Sequence, residues 1–513
     1  MSALGRFALM LFPCSLVVLA VWNHPDFLIS SDTLLPAALT WDLLHHHDAW
    51  SNFQQARVPS FFPDLTLYGL FQAVTDSWRV AMGLWTLTII GWLIGIATWL
   101  SSRLAGTRPW PAALACLLLI MPLLILGSTG VGPSMDLDRL SHLPLFPYLI
   151  ILLPFTHGGP FLLALATAAF ASKTPMTPYR AVLLGVGSFA LGLSDLLVVA
   201  NLLLPLTLAL AAGLHVGRVS KQRLGWLTAS AWVGAGLGWA FAQTLDRQPV
   251  PYPPIAEIPH YVFRWLLDLE RHPVMVLVVL ALILAVAADM RWRGWKAWLG
   301  SFWSVFAATN AVTALLMTAL LYNNMWSYRY ALPCLWWPVI LAAAGLSRII
   351  ADRDLLRRSV IPACLAFGLL CALPQPETPA LFRWQSPLAA CLERSGLHAG
   401  LAEYWWARLL TASTDWKLQV NQITPWGTAY IWGNDRSWFS HDIHDVALQP
   451  PYDFIVMDNI DQSQITTIYG EPDDTLTCGT STVWLYDDPA QVNQALLDAS
   501  SPHMERNPAV ASK

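Results

Sequence analysis

The sequence predicts an α-helical polytopic membrane protein of about eleven spans, ending in a small extracytoplasmic α/β domain. Three observations carry that prediction. Of 513 residues, 55% are hydrophobic and only 12% are charged, well below the charged share of soluble domains. Apolar runs approaching the length of a bilayer crossing recur throughout residues 1–373. The charge then changes sign. Residues 1–373 hold 22 Lys+Arg against 16 Asp+Glu, a net of +6, and residues 374–513 hold 7 against 17, a net of −10. The step divides a transmembrane domain (1–373) from a water-exposed domain (374–499), followed by a tail (500–513) expected to be disordered.

The apolar segments lie at about 7–22, 80–100, 110–127, 159–172, 181–194, 196–214, 225–243, 274–288, 298–321, 331–346 and 359–373. With a cytoplasmic N-terminus, five short inner loops carry fourteen basic residues, from Arg103 and Arg108 to Arg357 and Arg358, while the longer outer loops carry seven. Excess Lys and Arg mark the cytoplasmic side, so this orientation is expected. Eleven spans then place 374–513 outside, in the periplasm of a bacterial inner membrane. The first segment is read as a retained anchor, because "LAVWNHPDF" is a poor small-residue cleavage site.

The first outer loop, 23–79, is long and half apolar, and "SFFPDLTLYGLFQAV" reads as an amphipathic helix on the membrane surface. It opens with "LISSDTLLPAALTWDLLHHHDAW", Leu28 to Trp50. Asp32 there suits a helix N-cap, with Pro36 in the first turn; it equally suits a carboxylate facing a pocket. His45, His46 and His47 point about 100° apart on a helix and cannot converge on one ion, so a solvated face is expected there rather than a zinc site.

Other unusual polar residues gather on the same predicted side. "MDLDR" in the second outer loop places Asp136 and Asp138 two apart, as either a solvated loop or carboxylates for a divalent cation, Mg or Mn. His157 in "LLPFTHGGPFLL" precedes two glycines that permit close approach, in a segment that either spans or re-enters. Asp195 interrupts some thirty apolar residues; it marks a hairpin or lines a polar cavity. Arg329 in "NNMWSYRYALP" stands among interfacial aromatics, and its planar fork suits a phosphate. An acid, a candidate metal site and a cation at one membrane–water boundary suit chemistry on a lipid-linked phosphate.

This arrangement resembles the GT-C superfamily of membrane glycosyltransferases, such as the aminoarabinose and protein O-mannosyl transferases. Asp32 matches by position the essential acid that follows span one in that family, and Asp136 or Asp138 matches the acid of the second outer loop. "SYRYALP" is similar to a late Arg-Tyr…Pro segment of several members. The chain departs from the pattern at "SDT", where several members carry an Asp-Glu pair. The resemblance implies inverting transfer of a sugar from a polyprenyl-phosphate donor to an envelope lipid, glycan or protein acceptor. Asp32 would be the general base, Asp138 with Asp136 would assist directly or through a cation, and Arg329 would neutralise the departing phosphate, with His157 and Asp195 beside it. Membrane lipids are the other expected partners; no nucleic acid partner is expected. Two rival readings are a transporter or flippase of lipid-linked substrates and a non-catalytic assembly factor for envelope polysaccharide. A transporter would be expected to show internal repeats and mid-span polar sites, and neither is visible in the sequence.

In the acidic domain, "KLQVNQI", "TAYIW", "YDFIVMD" and "STVWLYD" read as strands and "LAEYWWARLLTA" as a helix. Its eight Trp are expected chiefly in a small core, although "TPWGTAYIWGNDRSWFSHD" also suits sugar stacking. Cys391 and Cys478 are its only cysteines and are expected to pair in an oxidising compartment. No nucleophile triad, P-loop or dinucleotide fingerprint is present in the sequence.

Overall fold

The computed structural model describes residues 14–45, 53–56, 58–129, 145–172, 177–245, 255–323, 325–353, 362, 380–439 and 450–504. Helices dominate up to residue 352. In chain order they are α1 (Cys14–Asn23), α2 (Leu35–His45), α3 (Thr66–Thr75), α4 (Trp78–Ala105), α5 (Pro109–Thr129), α6 (Gly158–Ser172), α7 (Pro178–Ser194), α8 (Leu204–His215), α9 (Lys221–Ala242), α10 (Ile258–Arg271), α11 (Pro273–Arg293), α12 (Phe302–Leu320) and α13 (Leu332–Asp352).

Five of the described helices are long and apolar enough to cross a membrane: Trp78–Ala105, Pro109–Ser128, Pro273–Arg293, Phe302–Leu320 and Trp326–Asp352. The expected count of eleven is not reached. The segment at 359–373 lies almost wholly outside the described residues. Others are short because the chain breaks. Helix α6 has 15 residues, and α7 has 17 before Asp195 ends it. Residues 146–157, outside the eleven segments, form two short helical stretches, 146–149 and 150–152, followed by turns up to His157. Helix α9 is long enough but is diluted by glycines and begins with Lys221 and Arg223.

Local chemistry sets these boundaries. Ser77 Oγ accepts from the Val80 N–H to cap α4, and Gly106 ends it at φ 69°. Helices α7 and α9 pack with their backbones almost in contact: a Cβ added at Gly234 would lie 2.2 Å from the Gly185 carbonyl oxygen, and one at Gly238 only 2.1 Å from that of Phe189. Small residues permit such close helix pairs in a bilayer.

Arginines collect at one end of the bundle. Arg348 donates to the Leu104 and Ala105 carbonyls at 2.9 and 3.1 Å, and Arg293 also reaches Leu104. The opposite end of α4 meets the C-terminal domain, where Trp78 Nε1 donates to the Ala412 carbonyl at 2.8 Å and Arg79 pairs with Asp415. The two ends are separated by the 28 residues of α4, about 42 Å at 1.5 Å per residue.

The C-terminal domain carries α14 (Pro387–Arg394), β1 (Ala399–Glu403), α15 (Tyr404–Ser413), β2 (Gln419–Ile423), β3 (Phe454–Val456), α16 (Gln462–Tyr469), β4 (Asp474–Cys478), β5 (Ser481–Leu485) and α17 (Pro489–Met504). Its sheet runs β2-β1-β3-β5-β4, with β1 parallel to β2 and β3, and β5 antiparallel to β3 and β4. The α/β expectation holds, with two changes. "LAEYWWARLLTA" is strand up to Glu403, where β1 pairs with β2 on one side and β3 on the other, and helix from Tyr404. "TAYIW" contributes only an isolated bridge, Ile423 to Ala429. Cys391 and Cys478 form the expected disulfide, tying α14 to the end of β4 with a Cα separation of 5.8 Å.

Candidate functional site

Four of the predicted residues come together where the C-terminal domain meets the bundle. Asp32 stands three residues ahead of α2, and its carboxylate accepts a hydrogen bond from the Tyr404 hydroxyl at the start of α15. It therefore links the first predicted outer loop to the neighbouring domain. The contact is braced on both sides. Ser31 Oγ donates to the Tyr404 carbonyl at 2.5 Å, and buried Arg408 donates to the Ser31 carbonyl, to the Gly433 carbonyl at 2.6 Å and to Asn434 Oδ1 at 3.1 Å. Burial lowers the Arg408 pKa, while the neighbouring Tyr404 and Asp32 act in the opposite direction.

His157 and Asp195 form the second part. They are 4% and 2% exposed, and His157 Nδ1 lies 2.7 Å from Asp195 Oδ2. Asp195 ends α7, and its other oxygen accepts from the Leu197 N–H at 2.8 Å. The His157 ring meets the Tyr330 ring edge to face at 5.3 Å. Arg329 lies 5.1 Å from the Tyr330 ring centroid and donates to the Tyr330 hydroxyl at 3.1 Å.

Arg329 is electrostatically coupled to both Asp32 and Asp195, yet no carboxylate lies within salt-bridge distance of it among the described residues. It spends one hydrogen bond on Tyr330, and its buried Nε has no partner. A guanidinium has five donors. The remaining ones are available to an anion.

Asp64 was not singled out from the sequence. It is 0% exposed; Oδ2 accepts from the Phe155 N–H at 2.7 Å, and Oδ1 has no hydrogen-bond partner. A Cβ on Gly159 would fall 1.9 Å from that Oδ1, so only glycine leaves the acid room. Asp64 thereby holds the turn in which Phe155 (φ 66°) and His157 (φ 72°) take left-handed conformations that non-glycine residues rarely adopt. Burial pushes its carboxyl up to about 8, the Phe155 N–H pulls it down, and the Asp195 charge raises it further. Tyr404 and Arg408 were also missed, since they arrive from the other domain. A neighbouring network joins Asp268 to Tyr322, to Tyr328 at 3.4 Å and to His272 at 3.2 Å, beside Arg329 in the chain.

Asp136 and Asp138, the predicted cation ligands, lie outside the described residues, as do His46 and His47. His45 Nδ1 donates to the Trp41 carbonyl, 2.7 Å away, and the imidazole stacks on the Trp41 ring. Among the described residues no three His, Cys, Asp or Glu side chains are grouped to hold a metal ion. A groove of about 810 Å³ between α7 and α9, lined by residues such as Val182, Val186, Trp226 and Leu237, contains no carboxylate; the chemistry-bearing residues lie elsewhere.

No protein-family model, curated protein or solved structure matches this chain.

Proposed function

We propose that this chain is a GT-C-like, inverting glycosyltransferase that moves a sugar from a polyprenyl-phosphate donor to an envelope lipid, glycan or protein. In this reading it sits in a bacterial inner membrane with about eleven spans, a cytoplasmic N-terminus and a periplasmic C-terminal domain. The observation that carries the reading is Arg329, a cation with unspent donors that sits on Tyr330, the ring that also meets His157 of the His157–Asp195 pair. A site that must hold a lipid phosphate beside a base has need of such a group.

Asp32 takes the proton of the acceptor hydroxyl as its oxygen attacks the anomeric carbon. The bond from that carbon to the phosphate oxygen breaks, its electron pair leaves with the polyprenyl phosphate, and the configuration inverts. Arg329 binds the phosphate as charge accumulates on it. His157, oriented by Asp195, supplies a further hydrogen bond there. Asp136 and Asp138 are the candidate ligands should Mg or Mn assist. The arginine-bearing helix ends lie across the bundle from the C-terminal domain, which supports the proposed orientation.

The test is mass profiling of envelope lipids and glycans in a deletion strain complemented with wild type or Asp32→Asn at equal expression. Wild type restores a missing sugar; the variant loses on the order of 10²–10⁴-fold of transfer. Full rescue by the variant overturns the base assignment and favours the transporter or assembly-factor readings.

A further inference from the structure

We infer that the acceptor is a carbohydrate, and that the Tyr404 hydroxyl holds the place on Asp32 which the acceptor's hydroxyl takes. The inference rests on the glycosyltransferase reading above and names the substrate class that reading leaves open.

Three observations lead to it. The first is the contact itself. A base that accepts a proton from an alcohol must first accept its hydrogen bond, and in this structure Asp32 accepts one from a phenol. Burial and the nearby Asp32 charge raise the Tyr404 pKa well above its ordinary value, so the phenol stays a neutral donor, as an alcohol is.

The second is what surrounds that hydroxyl. Tyr404 is the hub of an aromatic cluster: Trp405 lies 4.9 Å away between ring centroids, Trp432 5.3 Å and Tyr430 5.4 Å. These rings do not form the domain's own core, which is built around Leu401, Ile455 and Tyr452 on one side of the sheet and Leu410 and Phe454 on the other. Trp432 packs against the separate apolar cluster that includes Leu35 and Leu39 of α2, and Trp405 is 38% exposed. Aromatic side chains outside a core, next to hydrogen-bonding groups, form a surface with one apolar face and one wet edge. Sugar rings match it, because they present apolar C–H faces and a rim of hydroxyls.

The third is an unmet donor. The Trp432 indole N–H is buried and has no hydrogen-bond partner. A buried indole N–H usually has one. A saccharide seated among these rings in place of the phenol offers an acceptor, and a lipid chain does not.

Saturation-transfer NMR on the detergent-solubilised full chain tests this without any donor. The probes are lactose, maltose, cellobiose, chitobiose and mannobiose. At least one disaccharide should receive saturation at its ring protons. The signal should rise about twofold or more in Tyr404→Phe, which frees Asp32 but keeps the ring, and fall several-fold in Trp432→Ala. Trp405→Ala, at an exposed position, should also weaken it and serves if Trp432→Ala does not fold. Absence of transfer from all five with both wild type and Tyr404→Phe overturns the inference, as does transfer indifferent to both tryptophans. The two readings fail separately. A sugar found on a peptide or lipid hydroxyl in the envelope profile removes the carbohydrate acceptor and leaves the enzyme standing. Tryptophan-dependent saccharide binding with full rescue by Asp32→Asn removes the enzyme and leaves a carbohydrate-binding protein.

Discussion

His157 and Asp195, 38 residues apart in sequence, face each other at 2.7 Å with almost no solvent access. Each sits where a helix is interrupted: His157 immediately before α6, Asp195 immediately after α7. A buried carboxylate is costly unless its oxygens are satisfied, and both oxygens of Asp195 have partners, the His157 ring and the Leu197 N–H. The pair is thus a fixed point between two helix ends, with both of its carboxylate oxygens satisfied.

Asp195→Asn keeps an acceptor for Leu197 but removes the charge that orients the imidazole. Sugar transfer should fall on the order of 10²-fold with little change in the amount of folded protein. Activity per folded molecule, measured alongside a His157→Gln variant, checks this; the two losses should not multiply in the double variant, because the residues act as a unit.

Asp64 makes stability depend on pH. Its folded carboxyl titrates near 8 against an ordinary 3.8, so between those values the folded state binds more protons than the unfolded state. Stability from this group is present in full below about pH 4 and is lost as pH rises through 8. The thermal midpoint should fall between pH 5 and pH 8, and Asp64→Asn should flatten that fall. An unchanged slope in the variant would contradict the assignment.

Two glycines of α9 should respond in opposite ways to the same change. Gly238→Ala places a methyl 2.1 Å from the Phe189 carbonyl oxygen, whereas a Cβ at Gly236 meets nothing within 4 Å. The first should cost about 1–3 kcal/mol by forcing α7 and α9 apart. The second should be neutral or stabilise by up to about 1 kcal/mol through helix propensity. Melting temperatures of the two variants in one detergent decide it.

Much of the site was visible in the sequence for one reason. Asp32, His157, Asp195 and Arg329 are polar residues set against apolar runs, and such residues must find partners: His157 and Asp195 find each other, Asp32 finds Tyr404, and Arg329 finds Tyr330. Asp64 escaped notice because "SFFPDLTLYGLFQAV" reads as an amphipathic helix, on which an acid is simply the wet face. The chain kinks there, with Ser60 at φ 44°, and turns the acid inward. Tyr404 and Arg408 carry no local mark at all, since docking between domains leaves no periodicity. Five of the eleven apolar segments coincide with described helices long and apolar enough to cross a membrane, while those at 159–172 and 181–194 fall in helices of only 15 and 17 residues. In the C-terminal domain the cysteines paired as their isolation implied, while β4 was unread because "DTLTC" is mostly exposed and lacks an apolar face.

The hydrogen bond between Asp32 and Tyr404 joins residues 372 positions apart. At ribosomal rates of about 5–20 residues per second, that interval is roughly 20–75 s of synthesis. Throughout it the acid exists without the domain that braces it. A chain that stops short of residue 404 therefore lacks the hydroxyl that meets Asp32, and the first predicted outer loop waits on a residue made 372 positions later.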